Sequence, residues 1–173
     1  WIRIMRPILS QLAPSGIARC PAEGAIELRE EVARYLASNR GVSCSHEQVL
    51  IISGTRQALT LIMMALANPG DSGWVEDPGY PGISRVFDLF RVGTVPVPVD
   101  AQGIVVKAGQ ERDHEAKFAY VTPARQAPLG HTMSIRRRIE LLNWAYENDA
   151  FLLEDDYDGE YRFGGHPAPS LQS

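Results

Sequence analysis

The sequence is poor in cysteine and histidine, the residues that most often hold structural metals or form disulfide bonds. Its two cysteines, Cys20 and Cys44, are isolated from one another, so we expect neither a disulfide framework nor a zinc site. The four histidines are scattered without ligand spacing. That pattern gives no support to a transition-metal centre.

The sequence also lacks a long apolar run and an excess of basic charge. No stretch approaches the roughly 18 consecutive apolar residues of a membrane span, so we expect a cytoplasmic protein without a membrane partner. The formal net charge is −4, whereas binding to a phosphate backbone needs a clustered basic surface. The basic run Arg136-Arg137-Arg138 follows Ser134, a good helix cap, and we interpret it as a solvated helix face.

The chain does contain a regular alternation of helical and strand-like segments. Hydrophobic residues make up 45% and charged residues 22% of its 173 residues, which is typical of one folded domain. Because prolines cannot donate to a ladder, the Pro-Val alternation at 94–99 predicts an edge strand. The alternation as a whole predicts an α/β fold with a mostly parallel sheet flanked by helices. Helices are predicted over 25–40, 58–67, 83–90 and 135–147, and strands over 49–52, 74–75, 94–99, 118–121 and 151–153.

The most informative segment is the acidic run that follows the last predicted strand. Phe151-Leu152-Leu153 leads directly into Glu154-Asp155-Asp156 and then Tyr157-Asp158. In an open α/β sheet, ligands bind beyond the carboxyl ends of the strands, so this order directs Asp155 toward a ligand site. Neighbouring carboxylates repel one another, and a protonated ring nitrogen or a metal ion would relieve that repulsion.

Three further strand ends each carry a group suited to binding. Ser53-Gly54-Thr55-Arg56 precedes a helix, whose free N–H groups and dipole favour an anion such as phosphate. Tyr80 lies in the turn-rich loop 76–82, where its ring can stack on a planar ligand, and Gln126 can bond to a ligand oxygen from the loop 122–130. Taken alone, each is more often an ordinary helix start, a packed tyrosine or a solvated glutamine. Together with Asp155 they favour one ligand site.

These motifs resemble those of MocR-type regulators, the GntR subfamily that fuses a winged-helix DNA-binding domain to an aminotransferase-like, fold-type I pyridoxal 5'-phosphate (PLP) domain. The resemblance covers nearly all of residues 1–173 and implies a three-layer aminotransferase-like large domain that is incomplete in this chain. The winged-helix domain and the carboxyl-terminal small domain are expected outside it. The landmarks are Leu28-Arg29-Glu30, Asn39-Arg40-Gly41-Val42, Ser53-Gly54 with Gln57-Ala58, residues 76–82, Thr122-Pro123 with Gln126, residues 138–142 and Glu154 to Asp158.

The resemblance implies a cofactor role for each group named above. Ser53, Gly54, Thr55 and Arg56 would hold the phosphate of PLP, and Tyr80 would stack on the pyridine ring. Asp155 would keep the ring nitrogen protonated, because a carboxylate beside a pyridinium favours the charged ring. Tyr157 would form a hydrogen bond with the phenolic oxygen of PLP.

The chain departs from the family pattern in two places. Ala127 precedes Pro128-Leu129-Gly130, where aminotransferases commonly have an Asn that bonds to the cofactor, so Gln126 is expected to substitute. The chain also has only two lysines, Lys107 and Lys117, and neither is placed to form the Schiff base with PLP. That lysine is expected beyond this fragment, so no catalytic residue is assigned and PLP binding is expected to be weak or absent.

Two functions follow from the resemblance. The first is a PLP-binding, effector-sensing domain of a transcriptional regulator, whose partners are a small amino compound and, through the winged helix, DNA. The alternative is a fragment of a class I/II aminotransferase that catalyses amino-group transfer, which leaves open whether the protein is an enzyme. The missing strands would leave an open sheet edge, which predicts dimerisation or aggregation, and a homodimer is the expected assembly.

Overall fold

The computed structural model describes residues 1–11, 21–159 and 169–172. Its helices are α1 (Ile2–Gln11), α2 (Ile26–Arg40), α3 (Thr55–Leu66), α4 (Pro81–Leu89), α5 (Val106–Arg112) and α6 (Ile135–Glu147). Its strands are β1 (Ser72–Asp77), β2 (Gly93–Asp100), β3 (Gly103–Ile104), β4 (Phe118–Val121) and β5 (Phe151–Glu154). Among the described helices, none has both the length and the apolar character needed to cross a membrane.

The strands form one sheet in the order β3-β2-β1-β4-β5. All neighbours pair in parallel except the two-residue β3, which runs antiparallel to β2. The chain leaves the central β1 for β2 on one side and then returns to β4 on the other side. This reversal creates a switch point between β1 and β4, and the crevice at the carboxyl ends of those strands is the usual ligand position in such sheets.

Two apolar cores, one on each face of the sheet, confirm the layered α/β architecture. On one face, Trp74 packs in a cluster with Leu141 and Trp144 of α6. On the other face, the neighbouring Val75 packs with residues of α3 and α4, including Leu59 and Phe87. Adjacent strand residues enter opposite cores because side chains alternate along a strand. Helices therefore cover both faces of a sheet that is buried at its centre.

Strand β2 shows how prolines are accommodated beside a parallel partner. The carbonyl oxygen of Pro98 accepts a bond from Val105 N at 2.9 Å, on the side away from β1. The backbone groups of residues 96 and 98 both point to this side, away from β1. Because a proline has no N–H, neither residue could donate there, but no hydrogen bond to β1 is lost. The prediction of an edge strand is correct up to Pro98, but β3 pairs with the last two residues, Val99 and Asp100.

The structure corrects two sequence-based predictions. The predicted strand over 49–52 is extended, but within the described residues it joins no ladder, and Ile51 N donates instead to the Glu23 carbonyl oxygen at 2.9 Å. A continuous apolar run rich in Val and Ile favours an extended backbone, whereas strand formation also requires a partner. The basic run is not a uniformly solvated face, because Arg138 is buried and donates to the carbonyl oxygens of Met133 and Pro123.

Candidate functional site

A cleft of about 790 Å³ lies beside the carboxyl end of β5, between that strand, the end of α2 and the start of α3. Three of the predicted site residues line it: Gly54, Thr55 and Asp155. Its apolar wall comes from side chains of α2, α3 and β5, and Tyr120 reaches it from β4. The described lining residues are Leu36, Arg40, Val42, Ile52, Gly54, Thr55, Ala58, Leu59, Ile62, Tyr120, Leu142, Leu152, Leu153, Glu154, Asp155, Asp156, Ser170, Leu171 and Gln172.

Asp155 is fixed at this cleft by two bonds to β4. Its backbone N–H donates to the Val121 carbonyl oxygen at 2.9 Å, which continues the parallel ladder by one residue. Its Oδ2 accepts a hydrogen bond from the Tyr120 hydroxyl at 2.5 Å. Within the described part of the chain, Oδ1 accepts no hydrogen bond. One carboxylate oxygen is thus held by the protein and the other remains available to a ligand.

The start of α3 offers backbone donors to the same cleft. In the described structure, the N–H groups of Thr55 and Arg56 have no acceptor, as expected for the first turn of a helix. A Cβ added at Gly54 would meet no atom within 4 Å, so this turn opens onto free space. Ser53 is already engaged, because its N–H and its hydroxyl both donate to Gln57 Oε1, at 2.7 and 2.9 Å. A hydroxyl has one proton to give, so the backbone of 54–56 is the better anion donor.

Tyr80 lies half-buried at the start of α4 and packs against Tyr120, with ring centroids 6.1 Å apart. Its ring passes over Gly82, where any added Cβ would overlap it. Tyr80 does not line the 790 Å³ cleft among the described residues, but its neighbour Tyr120 does. The predicted stacking residue therefore lies one aromatic ring away from Asp155.

Gln126 is 2% exposed, and its amide is committed to the protein. Nε2 donates to Glu76 Oε2 at 3.2 Å and to the carbonyl oxygens of Pro78 and Ala127 at 2.8 and 2.7 Å. Oε1 accepts from Leu129 N at 3.0 Å. The loop glutamine predicted to contact a cofactor thus holds together the two loops that follow β1 and β4.

Glu76 forms the centre of this buried network at the switch point of the sheet. Its Oε2 accepts from the Thr122 hydroxyl at 2.6 Å, and its Oε1 accepts from Thr122 N at 3.2 Å. Burial raises the pKa of Glu76, and the hydrogen bonds from Thr122 and Gln126 offset part of that rise. The network joins the loop that carries Tyr80 to the loop that carries Gln126.

The acidic run at the end of β5 has some of its partners within the protein. Asp156 forms an ion pair with Arg40, and Asp158 pairs with Arg125 at 3.0 Å. Glu154 Oε2 accepts from Ser170 Oγ and Leu171 N, both at 2.9 Å. Asp156 and Asp158 therefore have positive partners in the protein, whereas Asp155 has no ion pair within the described residues. Across the described ranges, no group of three His, Cys, Asp or Glu side chains could hold a metal ion.

The remaining predicted residues lie around the cleft rather than in it. Tyr157 is exposed, and partial burial and the negative charge of Asp158 raise its pKa. Arg56 is also exposed. Lys117 lies at the amino end of β4, where its Nζ donates to the Asn148 carbonyl oxygen at 3.3 Å, and Lys107 lies on the exposed side of α5. Both lysines are therefore remote from the strand ends that carry Asp155 and Tyr80.

The sequence matches the family model of aminotransferase class I and II over residues 6–170. The chain belongs to the aminotransferase class I and II family. It is 46% identical over 149 residues to the uncharacterized HTH-type transcriptional regulator YdeL of Bacillus subtilis, a match that covers 86% of this chain and 32% of YdeL. It is 39% identical over 145 residues to the probable rhizopine catabolism regulatory protein MocR of Rhizobium meliloti, covering 84% of this chain and 29% of that protein.

A solved aminotransferase has the same fold as the chain. The kynurenine aminotransferase of Pyrococcus horikoshii, determined in complex with PMP, superposes with a TM-score of 0.88 at 32% identity and covers 98% of this chain and 44% of that chain. The resemblance to MocR-type regulators and the aminotransferase-like fold are both confirmed. The chain spans about a third of the length of the regulators it matches.

The residues present fit the phosphorylated pyridine cofactor of this aminotransferase family. The open first turn of α3 suits an anion, and the available Oδ1 of Asp155 suits a protonated ring nitrogen. Both face one cleft with an apolar wall, as ligand sites commonly do. Tyr120 and Glu76 contribute to this arrangement, although the sequence analysis assigned them no role. The signal available in the sequence was their position at the ends of two strands that precede candidate loops.

Proposed function

We propose that this chain is the cofactor-binding part of the effector-sensing, aminotransferase-like domain of a MocR-type transcriptional regulator. The single observation that carries the proposal is that Asp155 and the open start of α3 face the same cleft. A phosphate and a pyridinium are the two charged ends of PLP, and the cleft offers a matching donor or acceptor for each. The regulators that the chain resembles support the assignment to a sensor.

Each residue of the proposed site performs one task. The N–H groups of Thr55 and Arg56 bind the phosphate, which the positive end of the α3 dipole also attracts. Asp155 Oδ1 accepts a hydrogen bond from the protonated ring nitrogen, and Tyr80, which packs against Tyr120 at the cleft, is assigned to one face of the ring. When PLP is bound, it supplies an electron-withdrawing pyridinium ring. Tyr157 is assigned to the phenolic oxygen of the cofactor, and Gln126 acts by holding its loop in place.

The first experiment is a calorimetric titration of the chain with pyridoxamine 5'-phosphate. This ligand carries an amine in place of an aldehyde, so it cannot label Lys107 or Lys117 covalently, and any saturable heat reports the noncovalent site. We expect weak but saturable binding that inorganic phosphate competes away. Asp155→Asn removes a charged acceptor and should weaken binding by about tenfold or more.

Matched variants separate the site from general effects of substitution. Thr55→Pro removes one of the two N–H groups assigned to the phosphate, at the first position of α3, where proline is tolerated. Ile135→Pro makes the same change at the exposed first position of α6 and is the matched control. Asp88→Asn removes an exposed carboxylate of α4. Loss of binding in Thr55→Pro and Asp155→Asn, with both controls unchanged, supports the proposal. Absence of saturable binding in the unmodified chain contradicts it.

The alternative function is amino-group transfer by a class I/II aminotransferase. The 32% identity to the Pyrococcus horikoshii kynurenine aminotransferase is the observation that favours it. The two functions differ in the longer protein that contains this segment. A basic winged-helix sequence and effector-dependent retardation of DNA would support the regulator, whereas turnover of an amino donor with a keto acid would support the enzyme.

The assignment extends to the partners and location of the longer protein. A regulator that binds DNA through a winged helix works beside the chromosome, so we place it in the cytoplasm, where a small amino compound is its effector. We assign the covalent capture of PLP to a lysine outside residues 1–173, and hence expect no transfer activity from this chain alone. Within the described residues, the outer edge of β5 has no paired strand, which favours a homodimer. Light scattering after gel filtration tests the dimer directly.

A further inference from the structure

Tyr120 contacts both residues that are assigned to the cofactor ring. Its hydroxyl donates to Asp155 Oδ2 at 2.5 Å, and its ring lies 6.1 Å from the Tyr80 ring, centroid to centroid. It also lines the 790 Å³ cleft. One side chain therefore connects the group assigned to the ring nitrogen with the group assigned to the ring face.

The backbone around Tyr120 gives this contact a fixed geometry. Tyr120 is 1% exposed and lies in β4, between Val75 of β1 and Leu153 of β5 in the parallel register. Side chains alternate along a strand, so Asp155 lies on the same face as Leu153, two residues earlier. The register thus brings the Tyr120 hydroxyl to the Asp155 carboxylate without any contribution from a flexible loop.

The chemistry of the pair defines which atom donates. Burial and the hydrogen bond to Asp155 both raise the pKa of Tyr120 far above its ordinary value, so the phenol keeps its proton. A protonated phenol beside a carboxylate is a donor, and a donor fixed on Oδ2 prevents that oxygen from turning toward the ligand. The carboxylate plane is thereby set with Oδ1 toward the cleft.

We propose that Tyr120 is a positioning residue that orients the Asp155 carboxylate toward the ring nitrogen of the bound cofactor. This inference rests on the proposed function. It predicts that loss of the Tyr120 hydroxyl weakens only the hydrogen bond between Asp155 and the ring nitrogen. The contacts to the phosphate should be unchanged. A residue that merely supported the fold would affect both.

The test compares two ligands on the unmodified chain and on Tyr120→Phe. The ligands are pyridoxamine 5'-phosphate and its analogue with C–H in place of the ring nitrogen, which cannot bond to Asp155. We expect Tyr120→Phe to bind pyridoxamine 5'-phosphate about three- to tenfold more weakly and to bind the analogue with unchanged affinity. Tyr146→Phe, at a tyrosine of α6 that is 89% exposed, is the matched control and should change neither affinity.

A double-mutant cycle and a direct spectroscopic measurement complete the test. If Tyr120 acts through Asp155, Tyr120→Phe has no additional effect in an Asp155→Asn background. In the unmodified chain, proton NMR should show a downfield hydroxyl resonance that is lost in Asp155→Asn. That resonance should shift with pyridoxamine 5'-phosphate and not with the analogue, a readout that does not depend on whether Tyr120→Phe folds.

The outcomes distinguish this inference from the function on which it rests. No saturable binding of pyridoxamine 5'-phosphate to the unmodified chain overturns both. Binding that Tyr120→Phe leaves unchanged, or that falls equally for the two ligands, overturns the positioning role and leaves the cofactor site in place. A hydroxyl resonance that shifts equally with both ligands would also overturn the positioning role and leave the cofactor site in place.

Discussion

Arg40 and Asp156 form an ion pair between the end of α2 and the acidic run after β5, although 116 residues separate them in the chain. Arg40 is 4% exposed, while about a quarter of the Asp156 side chain remains accessible. Both residues line the cleft. Arg40 thus supplies one positive charge to the acidic run.

Removal of one partner should leave a largely buried charge without compensation. We expect Arg40→Ala to lower the free energy of unfolding by about 2–3 kcal/mol, somewhat less than for a fully buried pair because Asp156 is partly solvated. Arg34→Ala is the control, since Arg34 pairs with Glu31 on the exposed side of the same helix, and it should cost about 0.5 kcal/mol or less. Urea unfolding measures both. Equal losses of unfolding free energy in the two variants would show that the buried ion pair contributes no more to stability than the exposed one.

Glu76 should make stability depend on pH in a defined direction. Burial raises its pKa above the ordinary value of 4.5, so the folded chain binds this proton more tightly than the unfolded chain. The resulting stabilisation is complete below that ordinary value and is lost as pH rises through the raised pKa. In Glu76→Gln, the free energy of unfolding should vary less over that window than in the unmodified chain.

The control for Glu76 is Glu115→Gln, because Glu115 is exposed in the turn before β4. This variant should keep the full pH dependence of the unmodified chain. Chemical unfolding at several pH values from the ordinary pKa of glutamate upward provides the measurement. A Glu76→Gln variant whose stability follows pH as steeply as the unmodified chain would contradict the assignment to Glu76.

Gly82 leaves room for the Tyr80 ring, and its substitution tests whether that ring takes part in binding. Gly82→Ala places a methyl group where the ring now lies, so Tyr80 must move while the start of α4 can remain helical. We expect weaker binding of pyridoxamine 5'-phosphate, with far-UV circular dichroism unchanged. Gly93→Ala is the comparison, because a Cβ there meets its nearest atom at 3.6 Å, an ordinary contact. Unchanged affinity for pyridoxamine 5'-phosphate in Gly82→Ala would show that Tyr80 takes no part in binding.

The sequence was informative where the determining contacts are local. The stop of α2 at Gly41, which adopts φ 69°, follows from the freedom of glycine in the left-handed region. Asp155 was found because an apolar strand runs directly into it. The Arg40–Asp156 pair, by contrast, depends on residues from opposite ends of the chain. No local pattern could reveal it.

Gln126 and Tyr120 show the same limit at the candidate site. The amide of Gln126 is buried because its acceptor, Glu76, arrives from a strand 50 residues earlier. The hydroxyl of Tyr120 reaches Asp155 only because β4 and β5 pair in the observed register. An aromatic residue in an apolar strand is ordinarily part of a core, and that expectation concealed its polar contact. Both roles emerge from strand order and register rather than from residue type.

Trp74 of β1 and Trp144 of α6 stack with ring centroids 3.7 Å apart in the core between the sheet and that helix. Both are essentially fully buried, and Trp74 Nε1 donates to the Asp113 carbonyl oxygen at 2.9 Å. Trp144→Ala should therefore cost about 3–5 kcal/mol, through lost burial and a residual cavity. Near-UV circular dichroism should lose the signal of the coupled indoles, and urea unfolding should shift accordingly. Trp1→Ala is the control, because it removes an indole that is 93% exposed, and it should leave both measurements unchanged. A comparable loss of stability in Trp1→Ala would show that the stacked Trp74 and Trp144 do not dominate the packing of α6 on the sheet.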